Sequence, residues 1–205
     1  MYRRRSRGLM CLLFSIAVVT LFALAPSAKA QGDRVERRYI TGTILGVGGR
    51  LGGRTRPFEL IVNRYSTQEE VQRLNAALQS GGQDEVLRAL SGMDAGRIRI
   101  GTGVGITANA IIATPQEMGA VKLMVLYRRD VSFFELRAGT RSADYKLGYA
   151  EIYLRPRGNS DGTLIPAARV RLARDGSTWE VEDFGEFPAR LMGLQAHSSR
   201  DRRGL

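Results

Sequence analysis

The sequence predicts a mainly β protein, an antiparallel barrel-like or sandwich sheet of about 8–9 strands with a helical hairpin inserted after the second strand. Short runs rich in β-branched and aromatic residues, several of them alternating, recur along most of the chain. Gly, Asp, Asn and Pro separate these runs, and helical spacing is confined to one segment. Many short strands in succession favour a meander that closes as a barrel or folds as a sandwich.

Nine runs carry the strand pattern. They are Tyr39–Val47, Phe58–Asn63, Arg97–Ile100, Ile106–Thr114, Val121–Arg128, Val131–Arg137, Tyr145–Arg155, Thr163–Leu172 and Thr178–Phe184.

The last two runs form the clearest hairpin, because Asp175-Gly176 is a strong signal for a two-residue turn. This turn sets a register with one apolar face and one face of opposite charges, in which Glu180 and Glu182 are structural partners of arginines rather than catalytic acids. The predicted pairs are Leu172 with Trp179, Val170 with Val181, Arg171 with Glu180, and Arg169 with Glu182.

The helical insert spans residues 67–91. In its first helix, Thr67–Ser80, apolar residues recur at helical spacing, and Thr67 with Glu70 forms a capping box. Two glycines end this helix, and a second short helix covers Gln83–Ser91. We expect the insert at a mouth of the barrel or sandwich, either as a plug or as a lid over a ligand cavity.

The first thirty residues have the features of a cleavable signal peptide. Four arginines precede an apolar run, and Ala28-Lys29-Ala30 offers a cleavage site after Ala30. The sequence therefore predicts export to the periplasm or the extracellular space, with a membrane anchor only if the signal stays uncleaved. Residues 31–196 form a single β-rich domain, and 197–205 a disordered basic tail.

The composition of the mature chain excludes some kinds of functional site. After residue 30, 26 basic and 20 acidic residues remain, a net charge of +6, and no cysteine is left. A hydrophobic core must then hold the fold without disulfides, and thiolate metal sites and cysteine catalysis are excluded. No cluster of stacking aromatics accompanies the basic residues, which argues against a nucleic-acid surface.

The stretch GGRLGGRT, residues 48–55, nearly matches a phosphate-binding loop, with Arg54 in place of the lysine. Such a loop must open a helix, whereas Pro57 and the alternating apolar residues after it predict a strand. We therefore expect a hairpin loop that binds no nucleotide. Its arginines, Arg50, Arg54 and Arg56, are candidates for contact with a polyanion or with a partner's carboxylates.

A second candidate site lies on one face of the run from 145 to 155. That face holds Tyr145, Leu147, Tyr149, Glu151 and Tyr153, and the other face holds Gly148, Ala150, Ile152 and Leu154. Tyrosines beside a carboxylate suit a ligand groove, although an amphipathic outer surface or a subunit contact has the same pattern.

Catalytic chemistry finds little support in the sequence. The only histidine, His197, falls in the predicted tail, so we assign no catalytic residue, no metal ligand and no cofactor. A polysaccharide hydrolase needs only two carboxylates across a cleft and stays open as an alternative. Its candidate acids are Glu135, Asp144, Glu151, Asp183 and Glu186.

Several blocks of the sequence resemble a group of exported bacterial proteins of unknown function. The blocks include RLGGRTRPFELIVNRYS, ANAIIATPQ and FELRAGTRSADYKLGYAEIYL. The resemblance implies export and a shared fold, and it carries no activity. We expect an exported non-catalytic β-domain that binds a small ligand or an envelope or extracellular partner, with the hydrolase and a structural envelope-associated protein as alternatives.

Overall fold

Residues 37–46, 53–129, 144–173, 179–183 and 188–199 are described by the structure, a computed structural model. They all belong to the unit Val35–Leu205. The predicted signal peptide, the predicted strand Val131–Arg137 and Arg50 lie outside the described residues.

Ten strands form one antiparallel sheet. In chain order they are β1 Arg38–Leu45, β2 Thr55–Val62, β3 Gly96–Ile100, β4 Ile106–Ala108, β5 Ala110–Pro115, β6 Val121–Arg128, β7 Leu147–Leu154, β8 Ser160–Leu172, β9 Trp179–Asp183 and β10 Ala189–Ser198. The order across the sheet is β4-β3-β2-β1-β10-β8-β7-β6-β5, and β9 pairs with β8 off this path.

The sheet is a nearly closed barrel, which decides between the two predicted architectures. Its two end strands, β4 and β5, are consecutive halves of one bent segment: β4 pairs with β3, and β5 pairs with β6. The predicted strand Ile106–Thr114 is thus divided at Asn109, and each half completes a different side of the barrel.

Apolar side chains from all parts of the barrel fill its interior. Alternation along each strand turns every second residue inward, so nine of the ten described strands, all except β9, contribute to one core. Its largest fully buried members include Ile40, Phe58, Leu60, Ile111, Leu123, Ile152 and Leu191.

The helical insert after the second strand is confirmed as α1, Gln68–Leu90, with non-helical dihedral angles at Gly81 and Gly82. The predicted capping box between Thr67 and Glu70 is present at its start. Arg64 donates two hydrogen bonds to the Glu70 carboxylate, and these bonds lower the pKa of Glu70. Within the described residues, no helix combines the length and apolarity needed to cross a bilayer.

The position of α1 differs from the expected one at a barrel mouth. The helix packs on the outer face of β6, β7 and β8, where it forms a second core. This happens because the outward residues of these strands are also apolar, so both faces of this part of the sheet are buried. The contacts include Leu74, Leu78 and Leu90 of the helix with Leu126, Leu147 and Ile165 of the strands.

Asn109 connects the bend between β4 and β5 to the end of α1. Its buried amide Nδ2 donates to the carbonyl oxygens of Leu90 and Met93 at 3.1 and 3.0 Å. Its Oδ1 accepts a hydrogen bond of 2.8 Å from the backbone N–H of Arg128, the last residue of β6. One side chain therefore satisfies three backbone groups at the point where the barrel closes.

The predicted register of the last hairpin is confirmed. The long strand β8 pairs with β10 through its first half and with β9 through its second half, and all four predicted residue pairs are present. Arg171 and Glu180 form an ion pair at 2.8 Å. Glu182 accepts a hydrogen bond from the Tyr145 hydroxyl, so both glutamates have structural partners.

The strand β10 was not predicted, and the expectation of disorder from His197 onward is wrong at that residue. His197 lies in β10 opposite Tyr39 of β1. A bulge explains why the pattern was missed: Leu191 and Leu194 are both buried, three residues apart, with Gly193 between them at φ 61°. The extra residue breaks the period of two by which a strand is recognised.

The substitution Asn109→Asp should lower the free energy of unfolding by about 2–4 kcal/mol, because it turns the donor that faces two carbonyl oxygens into an acceptor. Urea denaturation of the two proteins measures the difference. Asn159→Asp, at an exposed position, is the matched control and should change stability little. Equal effects of the two substitutions would contradict the role of Asn109.

The substitution Gly148→Ala should lower stability by about 1–3 kcal/mol, because the added methyl group overlaps the ring of Tyr127, the residue opposite on β6. Thermal and urea unfolding measure the loss. Gly103→Ala is the control, since its methyl group would come no closer than 3.7 Å to another residue. A stable G148A protein would mean that Tyr127 does not occupy this place.

Candidate functional site

The first predicted site, the arginine-bearing loop, joins two strands as expected. The Gly46 N–H donates to Arg54 O at 3.1 Å, the Gly53 N–H donates to Gly46 O at 3.0 Å, and β2 begins at Thr55, directly after Arg54. Residues 47–52 of the loop, with Arg50, lie outside the described residues. Arg54 and Arg56 are exposed. Arg56 lies opposite the inward-facing Ile44, at one end of the barrel.

The second predicted site, on β7, lies on the outward face of the barrel. Arg54 and Arg56 lie next to or on β2, four strands from β7 across the sheet, so the structure does not bring these two arginines and the tyrosine face together as one site. The tyrosine face itself divides into a buried part and a half-exposed part.

Tyr145 and Tyr149 make up the buried part. Their exposed fractions are 5% and 7%, and Tyr149 packs in the core beneath α1. The Tyr145 hydroxyl is held by Glu182 at 2.7 Å. These two tyrosines are therefore packed into the fold, and their predicted role in ligand binding stays a prediction.

Glu151, Tyr153 and Lys122 make up the half-exposed part, together with the hydroxyl of Tyr149. Tyr149 donates to Oε2 of Glu151 at 2.6 Å, and Tyr153 donates to Oε1 at 2.5 Å. Lys122, which stands opposite Tyr153 on β6, places its Nζ 2.9 Å from Oε2. We call these four residues the Glu151 cluster.

The Glu151 cluster holds its carboxylate in the ionised form. Partial burial opposes ionisation, but the three donors outweigh it and lower the pKa of Glu151. Burial, and next the bond to Glu151, raises the pKa of Tyr149 well above its ordinary value. The hydrogen bond to Glu151 likewise raises the pKa of Tyr153. A general acid would need a raised carboxyl pKa, the opposite of this arrangement.

A groove of about 480 Å³ lies beside the cluster, across the outer face of β7, β8 and β10. Register places Thr163 of β8 between Glu151 and Arg190, and it places Asp161 opposite Tyr153. The lining includes Tyr153, Asn159, Asp161, Thr163, Arg190 and Met192. The groove is therefore mainly polar, with an exposed methionine at one side.

Two features give this groove its shape. The bulge of β10 at Gly193 leaves Met192 39% exposed at the groove's edge. The turn between β7 and β8 is held by Ser160, whose Oγ accepts from the Arg155 N–H at 2.9 Å. The Arg155 guanidinium bonds the Asn159 carbonyl at 2.6 Å and the Asp161 carboxylate at 3.1 Å.

Two smaller depressions lie elsewhere. One, of about 300 Å³, includes the ion pair between Arg99 and Glu59. The other, of about 260 Å³, lies at the break in α1, where Gln83 bridges the Val170 N–H and the Asp144 carbonyl. Among the described residues, no group of three His, Cys, Asp or Glu side chains is placed to hold a metal ion.

Sequence analysis identified Tyr153 and Glu151 but missed Lys122, Asp161, Thr163 and Arg190. Those residues come from three other strands, and only cross-strand register brings them to one face. Lys122 could have been singled out from the sequence, because it is one of only two lysines after residue 30. Arg190 had none, because its strand was not recognised.

In the comparisons with known proteins, no family model, curated protein or solved structure matches this chain.

Acidification should reveal the Glu151 cluster as a source of stability. The folded pKa of Glu151 is lowered, so its contribution is present above the unfolded pKa of about 4.3 and is lost as pH falls through the folded value. The stability difference between wild type and Glu151→Gln should therefore be largest near neutral pH and should shrink below about pH 4. Urea denaturation across the pH range measures it.

Glu180→Gln is the matched control, because it removes one carboxylate from an exposed ion pair. Its effect should be within about 0.5 kcal/mol of wild type at neutral pH. A stability difference for Glu151→Gln that stays constant from neutral to acidic pH would show that the cluster does not favour the ionised carboxyl.

Proposed function

We propose that this protein is an exported, non-catalytic binding domain that holds an extended polar ligand in the groove across β7, β8 and β10. The observation that carries the proposal is the groove itself, which has a volume of about 480 Å³. Paired strands line it with polar side chains and with charges of both signs, Asp161 and Arg190. Strands position such side chains more rigidly than loops do, which favours binding.

The chemistry of the groove supports binding over hydrolysis. Glu151 is engaged by three donors, and Asp161 is ion-paired with Arg155. A glycosidase would need one carboxyl group free to give a proton and a second free to attack or to activate water. His197, the only histidine, lies near the far end of β10, opposite Tyr39.

The predicted signal peptide supports an envelope or extracellular ligand. Export would remove the chain from cytoplasmic metabolites and expose the groove to cell-surface polymers. An open, shallow groove suits a segment of such a polymer better than it suits a small molecule that must be enclosed.

Blocking the groove should abolish this binding. The chain from Gln31 is screened against an array of envelope and extracellular polysaccharides, and the bound glycan is then titrated against variants by calorimetry. Thr163→Trp fills the centre of the groove and should weaken binding about tenfold or more. Thr107→Trp, on β4, makes the same replacement outside the groove and should leave binding unchanged.

Circular dichroism and thermal unfolding confirm that both tryptophan variants are folded. If T163W and T107W bind alike, or if no polysaccharide binds, the groove is not a polysaccharide site and the proposal is wrong.

A further inference from the structure

Asp161 and Arg190 are the charged side chains among the described residues that line the groove, and only Asp161 has an ion pair there. Lys122 is paired with Glu151 at 2.9 Å, and Arg155 is paired with Asp161 at 3.1 Å. Arg190 lines the groove, is exposed, and forms no ion pair with any described residue. Within the described lining of the groove, Arg190 is therefore a positive charge without an ion-pair partner.

Asp161, the groove carboxylate two residues from Thr163 on β8, is already ion-paired with Arg155, and the register places no carboxylate directly opposite Arg190. The neighbours of Arg190 across the two adjacent strands are Thr163 and Leu45, neither of which is charged. Glu151 is two strand spacings away, about 10 Å between backbones, and its oxygens are already engaged. An anion that enters the groove would meet Arg190 without displacing an existing partner.

The surroundings of Arg190 distinguish it from an ordinary surface arginine. Arg97, on the outer face of β3, is also exposed without an ion pair among the described residues, but it lines none of the depressions described above. Arg190 has Met192 and the backbone bulge beside it.

The aromatic surface of the groove does not suit nucleic acid. Tyr153 is the aromatic residue in the lining, and its ring has Lys122 Nζ at 5.5 Å and the Arg155 guanidinium at 5.9 Å from its centre. Bases bind single-strand sites by stacking on free aromatic faces. Recognition here must instead use the hydroxyl, amide and guanidinium groups of Thr163, Asn159 and Arg190, which suit sugar hydroxyls and a carboxylate.

We infer that the groove binds an acidic polysaccharide whose sugar carboxylate is bound by Arg190. The inference rests on the proposed function and names the chemical class of its ligand. A guanidinium can donate two parallel hydrogen bonds to one carboxylate, which gives both affinity and orientation. Thr163, next to Arg190 in the register, is placed to bond a hydroxyl of the same sugar.

The test uses two probes that share one backbone: an oligogalacturonate and the same oligomer with its carboxylates methyl-esterified. Calorimetry at low salt should show the acid binding about tenfold or more tightly than the ester. Arg190→Gln should reduce acid binding to about the level of the ester, and Arg190→Lys should restore part of it. Arg97→Gln is the control and should bind as wild type does.

The outcomes separate this inference from the proposed function. If acid and ester bind equally and T163W abolishes both, the groove binds sugar but does not select its charge, and the inference is overturned alone. If R190Q and R97Q weaken acid binding equally, the effect is general electrostatics and the inference is also overturned. If neither oligomer binds, the inference fails, and the array screen decides the proposed function separately.

Discussion

The three hydrogen bonds of the Asn109 side chain are the interaction on which the rest of the structure depends. They join the bend between β4 and β5, the end of α1 and the end of β6. Barrel closure needs a strand to change partners, and at that change its backbone cannot satisfy both neighbours. A short amide with two donors and an acceptor supplies the missing bonds in the space of one residue. Ser66 adds to the closure by pairing with Ile111 through backbone and side chain.

Closure at this corner separates a packed interior from an outer surface. The interior is filled with apolar side chains, so the proposed binding falls to the outer surface. The end of helix α1 is held by Asn109, and the helix covers part of the outer face of β6 to β8. On β7 it covers the first residues of the strand, at Leu147 and Tyr149. Further along β7 the outer face is uncovered, and the Glu151 cluster and the groove lie there.

The Glu151 cluster links the buried core to the groove. Tyr149 belongs to the core beneath α1, yet its hydroxyl reaches the Glu151 carboxylate, which in turn bonds Tyr153 at the groove. The carboxylate thereby fixes a tyrosine of the groove wall and neutralises Lys122. Lys122 and Arg155 both have ion-pair partners, whereas Arg190 has none among the described residues, and the proposed selectivity rests on this difference.

The sequence by itself determined the mainly β class, the strand β6, the capped helix after the second strand and the register of β8 with β9. Each depends on neighbours within a few residues, such as the spacing of apolar side chains, the capping pair Thr67 and Glu70, or a two-residue turn. The tertiary structure alone decided the corner at Asn109, the placement of α1, the strand β10 and the groove. These depend on partners far apart in the chain, and in β10 a bulge hides the local period. Arg190 belongs to the proposed site only because distant strands pair beside it, and a single sequence contains no local signal of that pairing.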